Sequence, residues 1–284
     1  MDFALYWFMF PVSICVATTA MLSGIGGAAL FMPIFLLIFP LLGADYVLGS
    51  AATAIAAALV TQTFGFASGF ISYQQQRLID YRQAMPFLTI SVPTAIIGSV
   101  VSHLLEPAYI RASYGVLMLV LATHLFHGFR RTVEQPLDVT GTRILFDSSG
   151  KEYRYTPYRV QKKVTGLGGF LSGLLSTGIG EVVMPQLIKH GRLPMPVAAA
   201  TSVLIVIVTV ISASATHLAT LISASGLDAV PWNLICYTVP GVIIGGQIGP
   251  RLQGRVSTPT MQISIAVLFA GIGVAMLLTV FGTP

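Results

Sequence analysis

Ser176-Thr177-Gly178-Ile179-Gly180-Glu181-Val182-Val183-Met184-Pro185 interrupts one long apolar run, and Ser23-Gly24-Ile25-Gly26-Gly27-Ala28-Ala29-Leu30-Phe31-Met32-Pro33 interrupts another. A glycine inside a helix costs about 1 kcal/mol relative to alanine, so continuous helix through either cluster is disfavoured. Unwound backbone in a bilayer exposes N–H and C=O groups that lipid cannot satisfy, and it persists where it lines a polar cavity. Both stretches therefore predict a broken or re-entrant helix pair.

Around these breaks the chain is almost uniformly apolar. Only 9% of its 284 residues are charged, against about 25% in a soluble domain. So few charges cannot solvate a globular surface, and most of the surface must face lipid. Apolar runs fall at 4–42, 47–73, 84–104, 110–128, 164–188, 195–222, 231–250 and 259–281, where a spanning helix needs about 20 residues. The N-terminus carries an acid and no basic region, so it reads as a first membrane segment rather than a cleaved leader. Cys15 and Cys236 lie in apolar runs with no metal or disulfide spacing and read as small buried side chains.

Charge fixes the sides. Arg77 and Arg82, eight basic residues between Arg130 and Lys163, Lys189 with Arg192, and Arg251 with Arg255 mark basic connections; Asp2, Asp45 and Asp228 mark connections without a basic residue. With basic loops in the cytoplasm, the central loop lies inside and both termini outside. The two halves then run as mirror images. Their sequences agree. Gly24-Ile25-Gly26 leads to Pro33 as Gly178-Ile179-Gly180 leads to Pro185. Ser50-Ala51-Ala52-Thr53 answers Ala198-Ala199-Ala200-Thr201, and Pro93 with Gly98 answers Pro240 with Gly245.

The expected fold is an all-α integral membrane protein of the cell membrane. It has two inverted-topology repeats, each a broken or re-entrant helix pair plus three full spans, making 8–10 membrane segments. The first repeat covers 1–128 and the second 164–284. The connector 129–163 contains a short β-hairpin turning at Ser148-Ser149-Gly150, expected to staple the halves on the cytoplasmic side.

Inverted repeats with discontinuous helices are the architecture of secondary transporters. A helix that starts at mid-membrane points N–H groups and a positive dipole end at an anion. The expected substrate contacts are Ser23, Gly24, Gly26 and Gly27 with Ser176, Thr177, Gly178 and Gly180; close helix packing through small residues is the plainer alternative. Glu181 is the one acid inside an apolar run. It reads either as a proton-coupling carboxyl, since charge there is costly, or as a cap on the helix that it begins. His217, deep in its span, reads as a proton relay or as a packed core histidine. Gln62, Thr53 and Thr201 are weaker cavity-lining candidates. His103, His124 and His127 sit near helix ends, where interfacial placement explains them.

These motifs resemble the sulfite exporter TauE/SafE family. The resemblance rests on G-I-G-G before an apolar tetrapeptide and proline, its second copy S-T-G-I-G-E-V-V-M-P, the two P-x4-G motifs and the basic central loop. It covers essentially the whole chain. It implies secondary transport of a small sulfur-containing anion such as sulfite, a sulfonate or thiosulfate. Two positions depart from the family pattern: Ala28 closes the first glycine triplet, and Glu181 follows Gly180 in the second copy. The partners expected are that anion and the lipid bilayer, with no nucleic acid, cofactor or metal; monomer and homodimer both fit. An anion channel on the same scaffold is the nearer rival. An intramembrane hydrolase using Ser176 or Ser23 with His217 is the remote one, without a G-x-S-x-G elbow to support it.

Overall fold

In the computed structural model, residues 3–23, 28–128, 143–157, 159–190, 193–252 and 258–281 are described. The chain is an all-α membrane protein carrying one small hairpin. Among the described residues, five helices are long and apolar enough to cross a membrane, within 51–75, 81–102, 107–126, 195–225 and 263–280.

The first apolar run is not one rod. Helix α1 (Met9–Ser23) is followed, beyond the cluster 24–27, by α2 (Ala28–Pro33), a π-helical stretch (Ile34–Ile38) and α3 (Phe39–Leu42). The two arms fold back on each other: the Tyr6 ring stacks on Phe39 at 5.2 Å, and the Tyr6 hydroxyl donates to the Tyr46 carbonyl. Then come α4 (Ala51–Gln75), α5 (Tyr81–Ser102) and α6 (Pro107–Gly128). Strands β1 (Arg143–Phe146) and β2 (Glu152–Tyr155) pair antiparallel in the connector.

The fifth run repeats the pattern. Helix α7 (Lys162–Leu175) and α8 (Ile179–Pro185), prolonged by a π-helical stretch (Gln186–His190), fold back across the break at 176–178. Ile179 meets Ser172, Val182 packs on Gly168, and Gln186 reaches Thr165. At about 1.5 Å per residue, neither arm spans a bilayer by itself. Helices α9 (Met195–Ser225), α10 (Trp232–Leu252) and α11 (Thr258–Phe281) complete the chain.

Helix contacts come in exchanged pairs. Helix α1 packs on α10 as α7 packs on α5; α4 packs on α10 as α9 packs on α5; α4 meets α9, and α6 meets α11. The polar links are exchanged too. Thr61 on α4 bonds Thr238 on α10 at 2.8 Å, and Thr209 on α9 bonds Ser91 on α5 at 2.8 Å. Residue order gives the directions. Gly241, Gly245 and Gly249 meet Phe10, Ile14 and Thr18 in turn, so α10 runs parallel to α1. Gly115 lies against Leu277 and Gly273 against Leu119, so α6 and α11 run antiparallel. Thr201, near the start of α9, meets Asp80 just beyond the end of α4, while Thr53 at the start of α4 shares a cavity with Leu221 and Ser225 at the end of α9. Helices α4 and α9 are therefore antiparallel.

Small residues permit these contacts. A Cβ added at Gly173 would sit 1.9 Å from the Ala95 carbonyl oxygen, and one added at Gly98 would sit 2.0 Å from that of Phe170. Backbone touches backbone here, so α5 and α7 are locked. The cysteines correct the sequence reading: Cys15 and Cys236 are exposed on α1 and α10. Hydropathy suits a small thiol to lipid as well as to a core, so an apolar run does not tell which way it faces.

Candidate functional site

The described break is a turn wholly within the protein. Helix α7 ends at Leu175, Ser176 takes a left-handed conformation (φ 63°), and Gly178 adopts φ 139°. That second value excludes other residues, and a Cβ on Gly178 would also press on Leu171 at 2.8 Å. Ser176, Thr177 and Glu181 are all buried.

Glu181 occupies the third position of α8, and its carboxylate turns back over the break. One oxygen accepts from the Thr177 hydroxyl at 2.9 Å, the other from the Gly178 backbone N–H at 2.9 Å. The Ile179 N–H donates to the Ser172 hydroxyl at 2.9 Å. Glu181 thus caps its own helix, and its carboxylate stands where an external anion would meet the helix start.

Each break is also held from a long central helix. The His217 Nε2 lies 2.7 Å from the Gly173 carbonyl oxygen; since a carbonyl only accepts, the ring nitrogen donates. The Tyr73 hydroxyl on α4 donates to the Met21 carbonyl at 3.1 Å. Both carbonyls sit two residues before the last residue of their helix, among those a helix end leaves unpaired. Just beyond the first break, the Ala29 carbonyl accepts from the Tyr114 hydroxyl on α6 at 2.9 Å, and Tyr114 lies within electrostatic reach of Glu181.

The sequence-derived candidates separate into groups. Ser176, Thr177, Gly178, Gly180 and Glu181 form one turn, with His217 one residue pair away at Gly173. Ser23 ends α1, while Gly24, Gly26 and Gly27 lie outside the described residues. Gln62 is buried within α4. Thr53 and Thr201 lie at opposite ends of the bundle. Thr53 bonds Ser50 and lines a cavity of about 420 Å³ with Leu221, Asp228 and Asn233. Thr201 is fully buried and accepts from the Asp80 backbone N–H at 3.1 Å, so it lines no opening there.

Two residues escaped sequence reasoning. Asp80 caps α5 by accepting from the Gln83 N–H at 3.0 Å; its other oxygen accepts from Arg143 at 2.8 Å and from Tyr155 at 3.0 Å, both on the hairpin. Burial, then the Asp80 charge, push the Tyr155 phenol well above its usual range, so it remains a donor. The Ser148 N–H adds a bond to the Gln76 carbonyl. The signal was an acid three residues before Gln83, a capping spacing, lying between Arg77 and Arg82. His103 follows the last residue of α5, near the helix end where its position in the sequence puts it. Its ring also packs on His217, with centroids 4.9 Å apart, a contact that sequence reasoning missed.

Comparison with known proteins agrees on what such a chain is. The chain is 26% identical over 259 residues to the probable membrane transporter protein YunE of Bacillus subtilis (strain 168), covering 90% of this chain and 91% of that one. It is 23% identical over 236 residues to a probable membrane transporter protein of Xylella fastidiosa (strain 9a5c), covering 83% and 80%. No solved structure matches. The profile of the sulfite exporter TauE/SafE family matches residues 9–276, nearly the whole length, and the chain belongs to that family of membrane transporters.

Proposed function

We propose that the protein is a secondary transporter that moves a small sulfur-containing anion, of the sulfite or sulfonate type, by alternating access. The halves 1–128 and 164–284 act as inverted repeats, a reading supported by the exchanged helix contacts and the matched Thr61–Thr238 and Ser91–Thr209 bonds. The observation that carries the proposal is the carboxylate of Glu181 seated on the donors of the α8 break. An ionised Glu181 holds Thr177 and Gly178 for itself and repels a second anion. Once protonated, it binds them weakly and leaves them to the substrate. Proton and anion then move together, and Glu181 is the internal competitor that couples them.

Access alternates between the two ends of the α4–α9 pair. The hairpin closes the end at Asp80 and Thr201, while the end at Thr53 and Asp228 holds the cavity. By the charge pattern, the hairpin end faces the cytoplasm. Purified protein in liposomes tests this through sulfite counterflow. The expected result is that internal unlabelled sulfite accelerates entry of labelled sulfite, and that Glu181→Gln makes the flux independent of pH. Flux that no gradient of a second ion drives uphill, with no counterflow, belongs to a channel and rejects the proposal. Full pH dependence in Glu181→Gln removes Glu181 from the coupling.

A further inference from the structure

We propose that His103 and His217 form a two-imidazole proton relay, with His103 as its outer member. It leads from the end of α5 to the break between α7 and α8, and it rests on the proton-coupled transport reading above.

The rings lie against each other, with centroids 4.9 Å apart and planes inclined by 47°. Each keeps one buried ring nitrogen without a partner: Nδ1 of His217 and Nε2 of His103. His217 has no solvent exposure at all. Leaving a buried polar atom unpaired is unfavourable, and an apolar side chain of similar size would pack there without that cost. Two such atoms on adjacent rings are chemically suited to one task, passing a proton. With Nε2–H donated to Gly173, the His217 Nδ1 carries a lone pair and can accept.

The surroundings keep the pair to one proton. Helix α4 carries no charged side chain from Ala51 to Gln75, and α1 carries none from Met9 to Ser23. On α10 the one charge is Arg251, at the far end from Trp232. Helix α7 has its charges, Lys162 and Lys163, in its first turn, remote from Gly173. On α8 the acid is Glu181, engaged by Thr177 and Gly178. On α5 the charge is Arg82, in the first turn and remote from His103, which follows the last residue of the helix; beyond His103 lie Glu106 and Arg111. Two imidazolium rings at this separation repel each other, so protonating one keeps the other neutral and ready to receive.

The transfer balances. His103 takes up a proton on its other ring nitrogen, and when the rings close to hydrogen-bond distance its Nε2–H bond breaks as an N–H bond forms on Nδ1 of His217. His217, then carrying an N–H on both ring nitrogens, keeps Nε2–H on the Gly173 carbonyl, two residues before the last residue of α7 and so beside the break. His103 ends α5, which runs alongside α9, so the relay opens at the end of the bundle that holds the Thr53 cavity.

The test compares His103→Gln with the native chain in liposomes loaded with labelled sulfite. Proton-driven uphill movement is expected to fall about a hundredfold, the scale of a lost acid–base group, with counterflow falling far less. The double variant with His217→Gln is expected to be no worse than either single variant. Equal losses in both assays would mark a packing role and overturn the relay. A second readout needs no substrate: nitrogen-15 NMR of labelled histidines in lipid nanodiscs. The relay requires His103 and His217 to titrate through one shared transition, with the His217 signal displaced in His103→Gln. Independent titration of the two rings overturns it, even if the native chain moves no sulfite and the transport reading fails.

Discussion

The two ends of the α4–α9 pair are built from matching parts and finished differently. At one end the start of α9 meets the turn after α4; at the other the start of α4 meets the turn after α9. The first end carries Thr201 and Asp80, the second Thr53 and Asp228. Asp80 is buried under Arg143 and Tyr155 of the hairpin, while Asp228 is exposed on a cavity of about 420 Å³. The hairpin of the connector lies at the first end. The hairpin covers one end of the helix pair, and the cavity lies at the other.

The largest expected effect comes from the backbone contact between α5 and α7. Gly173→Ala drives a methyl into the Ala95 carbonyl, and a destabilisation of about 3 kcal/mol or more is expected. Thermal unfolding of the detergent-solubilised protein reads it. Gly271, with nothing within 4 Å of an added Cβ, is the control and should tolerate alanine.

Releasing the hairpin should come next. Asp80→Ala removes a helix cap and the acceptor for Arg143 and Tyr155, with an expected loss of about 2 kcal/mol. Arg143 is about one-third exposed, so solvent screens its share of the ion pair. Trypsin cleavage after Arg143 or Arg154 should accelerate, and the closed end should come to resemble the open one. Unchanged cleavage would mean that the hairpin is held by something other than Asp80.

The smallest effect concerns pH. The hydrogen bond from the Ser149 hydroxyl, opposed by desolvation and reinforced by the Lys151 and Ser149 N–H groups, holds the Asp147 carboxylate below its usual range. A depressed carboxylate stabilises the folded turn above its unfolded pKa and loses that contribution as pH falls through the folded value. Protection of the 148–151 amides, relative to the intrinsic exchange rate at each pH, should fall on acidification, and Asp147→Asn should remove that dependence.

Much of this organisation can be read in the sequence, and the unread part has a physical cause. Glycine clusters mark where helices must break, because helix propensity is local. The hairpin likewise follows from alternation about Ser148-Ser149-Gly150. The Asp80 clamp and the His103–His217 contact depend on which helices become neighbours, and no spacing along the chain encodes that. Lipid adds a second blindness: an apolar or small residue satisfies hydropathy facing either way, which is why Cys15 and Cys236 point outward. The role of Glu181 was open because a cap and a coupling carboxyl ask for the same residue. The geometry shows the cap, with the carboxylate on Thr177 and Gly178, and the coupling role is the proposal built on it.

The central claim, that access alternates between the two ends, is tested most directly by cysteine labelling in a background of Cys15→Ser and Cys236→Ser. Thr53→Cys and Thr201→Cys are treated with a membrane-impermeant maleimide, with and without sulfite and at low and high pH. The expected result is reciprocal: Thr53→Cys labels and Thr201→Cys is protected in the resting protein, and sulfite at low pH lowers the first while raising the second. Simultaneous labelling of both positions, unaltered by sulfite, would contradict alternating access and indicate an open pore.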